Sequence, residues 1–313
     1  MDNKIKSGFI SLVGRPNVGK SSLLNAILEQ KISIVSNKVQ TTRDKILAVH
    51  NFTDNKGEKV QIAFMDLPGM HGALDKMGEA CLKTIKSIRK ETDLIALIFE
   101  CHKQVGREDL EILSWLKQEH KKTPLICLLN KSDLLDKKEI LISNIEYYRN
   151  ILKENLERDI EIITVSANKK LGIENFLNLC SKFLKYGEAL FPEDYLTDRS
   201  LRFLSGELIR EEALNLFKEE VPHSIAVFIE EYREETQPKI ITYIRAKIFV
   251  ERESQKPILI GKNGITIKKI STLARKQIEE LVGTPVFLDL KVKVFENWRK
   301  DSQKLKYLGY NFK

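Results

Sequence analysis

The sequence predicts an α/β chain of two domains: a doubly wound, mostly parallel sheet over residues 1–187, a linker over 188–198, and a smaller α+β domain over 199–313. Three observations carry this. At 313 residues the chain exceeds the roughly 250 to 300 residues at which a single core stops growing. Up to about Lys185, short apolar runs alternate with longer amphipathic stretches, as a parallel sheet flanked by helices requires. Beyond a segment holding Gly187 and Pro192, that alternation stops.

In chain order, apolar runs at 8–13, 46–52, 59–65, 94–100, 124–129 and 160–165 are the expected strands of the first domain. The expected helices, with apolar residues at helical spacing, are 20–30, 77–91, 107–121, 138–156 and 173–185. The second domain should open with a helix at 199–219 and continue with strands near 224–233 and 240–250. A helix from Gly264 to about Leu281 and a strand near 285–295 should follow.

Composition excludes several classes. With 42% hydrophobic and 31% charged residues the chain is neither a disordered polar polymer nor a membrane protein. The apolar run ending at Val13 is shorter than the ~20 residues of a membrane span, and no signal peptide is expected. Cys81, Cys101, Cys127 and Cys180 form no close pair, which speaks against a zinc site or disulfide framework and for a reducing cytoplasm. The net charge of +8 is uneven: residues 239–313 carry 17 Lys/Arg against 7 Asp/Glu, whereas 195–238 carry 5 against 10. Basicity at the C-terminal end suits a polyanion, either nucleic acid or an anionic membrane surface, and is equally compatible with a solvated lysine face.

Gly14-Arg15-Pro16-Asn17-Val18-Gly19-Lys20-Ser21 follows the first strand and opens the first helix, the context of a phosphate-binding loop. Its backbone N–H groups, with those of Ser22 beyond it, can surround phosphate oxygens. Lys20 neutralises the outer phosphates and the Ser21 hydroxyl can ligate Mg²⁺. Asp66-Leu67-Pro68-Gly69 ends the third strand, where the carboxylate can hold Mg²⁺ through water and the Gly69 N–H can meet a γ-phosphate. In Thr41-Thr42-Arg43 either threonine could complete the Mg²⁺ shell when the third phosphate is present; Thr42 is preferred. These residues give the expected catalytic set of Lys20, Thr42 and Gly69 and the metal set of Ser21, Thr42 and Asp66.

Asn130-Lys131-Ser132-Asp133 closes the fifth strand. A carboxylate at Asp133 accepts from the ring N–H and exocyclic amine of guanine, which adenine cannot match, so GTP and GDP are expected over ATP. Lys131 can lay its stem along the base, and Asn130 can tie this loop to the phosphate loop. In Ser166-Ala167-Asn168 the Ala167 N–H can donate to the guanine carbonyl.

Gly261-Lys262-Asn263-Gly264 brackets a basic turn between helical segments, a shape that lets backbone approach a nucleic-acid backbone with Lys262 on a phosphate. Lys268, Lys269 and Arg299 are expected to add cations to this RNA-binding surface. Trp298 has two readings, stacking on a base or capping the small domain's core.

Together these motifs, with Gln40-Thr41-Thr42-Arg43, Tyr195-Leu196-Thr197-Asp198-Arg199-Ser200, Ile209-Arg210-Glu211 and Asn297-Trp298-Arg299-Lys300-Asp301, resemble the Era family of bacterial GTPases over nearly the whole chain. Leu67 departs from the family's usual threonine. The resemblance implies a P-loop GTPase domain followed by a KH-type domain, and binding of small-subunit ribosomal RNA near its 3′ end. It further implies a role in 30S assembly and peripheral association with the inner membrane by a cytoplasmic protein, expected to be a monomer. A competing reading is a membrane-associated signalling GTPase whose basic C-terminus binds anionic lipid. Met70 stands where Ras-like GTPases carry the glutamine that orients water, so intrinsic turnover should be slow. Asn17 resembles the asparagine that coordinates K⁺ in related GTPases, which implies potassium-stimulated hydrolysis.

Overall fold

The computed structural model describes residues 4–36, 41–69, 79, 92–217, 224–237 and 239–310. Gln40, Met70, Cys81 and, apart from residue 79, the helix expected at 77–91 lie outside the described residues. Contacts divide the chain into two compact units. The first comprises the described parts of Met1–Ser33, Thr42–Gly72 and Cys81–Asp198; the second comprises the described parts of Ile34–Thr41, Ala73–Ala80 and Arg199–Lys313.

The first unit holds strands β1 (Ile5–Val13), β2 (Ile46–Thr53), β3 (Lys59–Asp66), β4 (Leu94–Glu100), β5 (Leu125–Asn130), β6 (Glu161–Thr164) and β7 (Lys185–Gly187). Its helices are α1 (Lys20–Leu28), α2 (Arg107–Glu119), α3 (Lys138–Leu156) and α4 (Ile173–Ser181). The sheet runs β2-β3-β1-β4-β5-β6, with β7 against the start of β1. The β1–β3, β1–β4, β4–β5 and β5–β6 pairs are parallel, while β2–β3 is antiparallel. Every residue of β4 and β5 is buried, which is why both read as apolar runs up to their last residues, Glu100 and Asn130: helices cover both faces of a parallel sheet. The strand order reverses at β1, so the crevice beyond its carboxyl end is where this architecture places a ligand.

The residues expected as a linker are strapped along the sheet edge. Val49 N–H donates to the Leu196 carbonyl (2.8 Å) and Leu47 N–H to Asp198 (3.0 Å), while the Thr197 hydroxyl donates to the Leu47 carbonyl (2.7 Å). The edge of β2 is thereby covered, as an unpaired strand edge needs. The helix expected at 173–185 ends at Ser181, and a turn over 182–184 leads into the three-residue β7, which is too short to show a period of its own.

The second unit contains α5 (Leu201–Leu216), β8 (Ala226–Glu235), β9 (Ile241–Val250), α6 (Gln255–Ile260), α7 (Ile265–Val282), β10 (Val286–Val294) and α8 (Ser302–Tyr307). Its sheet is β10-β9-β8, with β9–β10 parallel and β8–β9 antiparallel. Ile270, Ala274 and Ile278, four apart on α7, are buried in a core with Leu208 and Ile209 of α5 and Ile244, Ala246 and Ile248 of β9.

Candidate nucleotide and RNA sites

The carboxyl ends of β1, β3, β4 and β5 deliver the phosphate loop, Asp66, Glu100 and Asn130 to one edge of the sheet. The phosphate loop turns on Asn17 (φ 65°) and Gly19 (φ 96°). A Cβ on Gly19 would come within 2.3 Å of the Asn130 amide nitrogen, so only glycine fits the closure between the phosphate and base loops. Val18 is fully buried and Lys20 is 6% exposed. The Lys20 ammonium donates to the carbonyls of Gly14 (3.0 Å) and Arg15 (2.9 Å). Burial brings its pKa down to about 8, against a smaller upward pull from Asp66. A phosphate anion would reverse that shift.

Asp66 has no exposed surface, and one of its oxygens accepts from the hydroxyls of Ser21 (2.7 Å) and Ser33 (2.7 Å). Burial raises its pKa against the pull of those two hydroxyls. Its other oxygen, Oδ1, is buried with no hydrogen-bond partner. The Thr42 hydroxyl lies 2.9 Å from that of Ser21, whereas Thr41 turns its hydroxyl to the Ser36 carbonyl (3.4 Å). A carboxylate with an unsatisfied oxygen beside two hydroxyls fits a hard divalent cation, so Ser21, Thr42 and Asp66 could hold Mg²⁺. Ser33 was not anticipated; a lone serine after α1 has no local signal. Leu67 and Pro68 are buried, and Gly69 lies against Pro16 of the phosphate loop.

Asn130, 1% exposed, joins three loops: its amide donates to the Val18 carbonyl (2.8 Å) and its oxygen accepts from the Ala167 N–H (3.1 Å). A guanine carbonyl at Ala167 would therefore share a donor that Asn130 already uses. Asp133 accepts from the Ser166 hydroxyl, and the Lys131 ammonium donates to the Asn17 carbonyl (2.8 Å) and to Glu100. Asn168 is exposed beyond them.

In the second unit, Gly261 takes φ 74°, and a Cβ there would meet the Thr266 hydroxyl oxygen at 2.1 Å. Lys262 and Asn263 are exposed at the tip of this turn, flanked by the exposed apolar side chains of Ile258 and Ile265. Beyond Gly264 a groove of about 530 Å³ opens between α7 and β10, lined by Lys268, Ser271, Thr272 and Arg275 on one wall and Val286 to Leu290 on the other. Lys269 and Arg299 are outside that lining. The groove itself was not anticipated, because its walls lie about twenty residues apart in sequence. Trp298 is fully buried, donates its indole N–H to the Ser224 carbonyl (2.9 Å) and stacks near Tyr310, so the core reading holds. The flanking family-like segments are structural as well. Ser200 caps α5 by accepting from Phe203 N–H (3.2 Å), and Asp301 caps α8 by accepting from Gln303 N–H (2.8 Å). Arg210, 1% exposed, pairs with Glu207 and donates to the Thr41 carbonyl.

Both units resemble known proteins. Residues 9–131 match the family model of the 50S ribosome-binding GTPases, and residues 220–299 match that of the KH domain. GTPase Era of Thermosipho melanesiensis is 42% identical over 295 residues, covering 94% of each chain. A crystal structure of Era with MgGDPNP and nucleotides 1506–1542 of 16S ribosomal RNA shares 35% identity at a TM-score of 0.89, covering 98% of this chain and 99% of that one. A point variant of Era from Aquifex aeolicus bound to GDP and AlF4⁻ matches with the same identity, score and coverage. No helix among the described residues is long and apolar enough to cross a membrane.

Proposed function

The chain belongs to the Era family of GTPases, and we propose that it is a GTP-dependent switch that binds small-subunit ribosomal RNA near its 3′ end during 30S assembly. The observation that carries this is the pairing, in one chain, of interlocked phosphate and base loops with a glycine-bracketed basic turn that leads into α7, one wall of a groove. Bound Mg²⁺ would neutralise charge on the β- and γ-phosphates during phosphoryl transfer. Lys20 holds the outer phosphates, Asp133 reads guanine, and Thr42 senses the third phosphate. On the RNA side, Lys262 and Asn263 approach the backbone while Lys268 and Arg275 line the groove for unstacked bases.

A protein acting on the 30S subunit would work in the cytoplasm. The basic excess of residues 239–313 would also draw it to an anionic membrane surface, so lipid vesicles belong in the test. An RNA fragment from the 3′ end of 16S ribosomal RNA is titrated against the protein with a non-hydrolysable GTP analogue, with GDP and without nucleotide. Tightest retention with the GTP analogue supports the switch. Equal retention in all three states, or binding of anionic vesicles with no retention of the RNA at matched salt, refutes it.

A further inference from the structure

One buried carboxylate at the nucleotide site has no part in the reading above. Glu100 ends β4, is 3% exposed, and accepts from three cations: Arg15 (2.8 Å), Lys103 (2.7 Å) and Lys131. Two of the three come from loops that surround the candidate nucleotide site, Arg15 from the phosphate loop and Lys131 from the base loop. The Lys131 ammonium is shared between Glu100 and the carbonyl of Asn17 (2.8 Å). Arg15 also faces Asp109 (3.4 Å), and its own carbonyl accepts from Lys20 (2.9 Å).

The carboxylate is fixed from behind. Glu100 lies opposite Asn130 in the β4–β5 register, and its carbonyl accepts from the Tyr148 hydroxyl (3.1 Å). Burial favours its neutral form, but the bonds from Lys103 and Lys131 outweigh this and hold its pKa below the usual range, so it is an anion at neutral pH. A buried ion cluster often serves stability alone. Here the partners are two side chains of separate loops, and one is the lysine whose stem is expected against the base.

We propose that Glu100 is a positioning residue for the guanine nucleotide: its carboxylate holds Lys131 against the base and joins the base loop to the phosphate loop through Arg15. This rests on the reading of Lys131 as the base-contacting lysine. Without the anchor, only the Asn17 carbonyl and the nucleotide itself would order the Lys131 chain, so bound nucleotide would leave faster. GDP and GTP would be affected alike, because neither partner depends on the third phosphate. The loss would fall on retention more than on turnover at saturating GTP.

The test is a double-mutant cycle read by release of fluorescently labelled GDP from the full chain: parent, E100Q, K131A, and E100Q with K131A. The amide of E100Q keeps the shape but turns a donor toward Lys131 or Arg15. Release from E100Q should be about tenfold faster than from the parent, the scale of one lost charge-assisted hydrogen bond. With Lys131 already removed, the same change should add at most about twofold. Equal factors with and without Lys131, or parent-like release from E100Q beside fast release from K131A, overturn the inference alone. Parent-like release from K131A overturns the reading of the base loop and the inference with it. Should E100Q fail to fold, E100D in the same cycle carries the same expectations with a smaller factor.

Discussion

Asn130→Ala is the perturbation that most directly weighs the loop closure. The side chain is 1% exposed and makes two hydrogen bonds, to the fully buried Val18 and to Ala167. Its removal strands the Val18 carbonyl away from water, at about 1–3 kcal/mol for an unpaired buried group. The Ala167 N–H is half-buried, so water recovers most of its bond and the added loss is about 1 kcal/mol or less. The total is about 1–4 kcal/mol. For a domain of this size, at roughly 2–4 °C per kcal/mol, the thermal transition of the first unit should fall by roughly 2–16 °C. Were Asn130 only an exposed turn residue, the change would stay within about 0.5 kcal/mol. Thermal unfolding followed by circular dichroism without nucleotide, together with a GDP titration, measures both consequences. A transition within about 2 °C of the parent, at the corresponding energy scale, with unaltered GDP affinity, would show that the three loops are not held through this side chain.

Four further outcomes are expected. Lys20 is depressed to about 8 by burial, and a bound phosphate should raise it again, so GDP binding above pH 8 should take up a proton. Calorimetry in buffers of different ionisation enthalpy reads this, and zero uptake at a pH between 8 and the bound-state value would refute it. In the nucleotide-free protein the sign is opposite to a salt-bridged lysine's. Between about 8 and the ordinary value of 10.5 the unfolded chain binds more protons, so this group's contribution makes stability rise with pH. Asp133→Asn should shift preference from guanine toward xanthine nucleotides, and equal affinity of the parent for ATP and GTP would contradict the base assignment. Changing Lys262 and Asn263 together to Asp should weaken RNA binding while RNA-free GTP turnover stays near the parent's; undiminished RNA affinity would show that the turn is not the contact. If Asn17 helps to hold K⁺, single-turnover hydrolysis should be faster in potassium than in sodium at matched ionic strength and lose that difference in Asn17→Ala; equal parent rates in the two salts would end that idea.

The motifs that could be read from the sequence are those whose chemistry is carried by neighbours in the chain. Gly14 to Ser21, Asp66 to Gly69, Asn130 to Asp133 and Gly261 to Gly264 each place their groups within one turn, so spacing alone constrains what the backbone can do. The strands were legible for the same reason: β4, at 94–100, is one apolar run buried on both faces. Other features needed the fold. Trp298 is the same residue whether it stacks on a base or fills a core, and only the packed Ser224 carbonyl and Tyr310 ring decide for the core. Ser33 reaches Asp66 across 33 residues, and Glu100 meets Arg15 and Lys131 across 85 and 31. The wall opposite Lys268 is a strand that begins at Val286. The strap of residues 191–198 took its place from partners on β2 and β3, not from its own composition. A carboxylate or hydroxyl acquires its role from what is within about 3 Å of it. Tertiary folding sets that distance between residues far apart in the chain, and the local pattern holds no record of it.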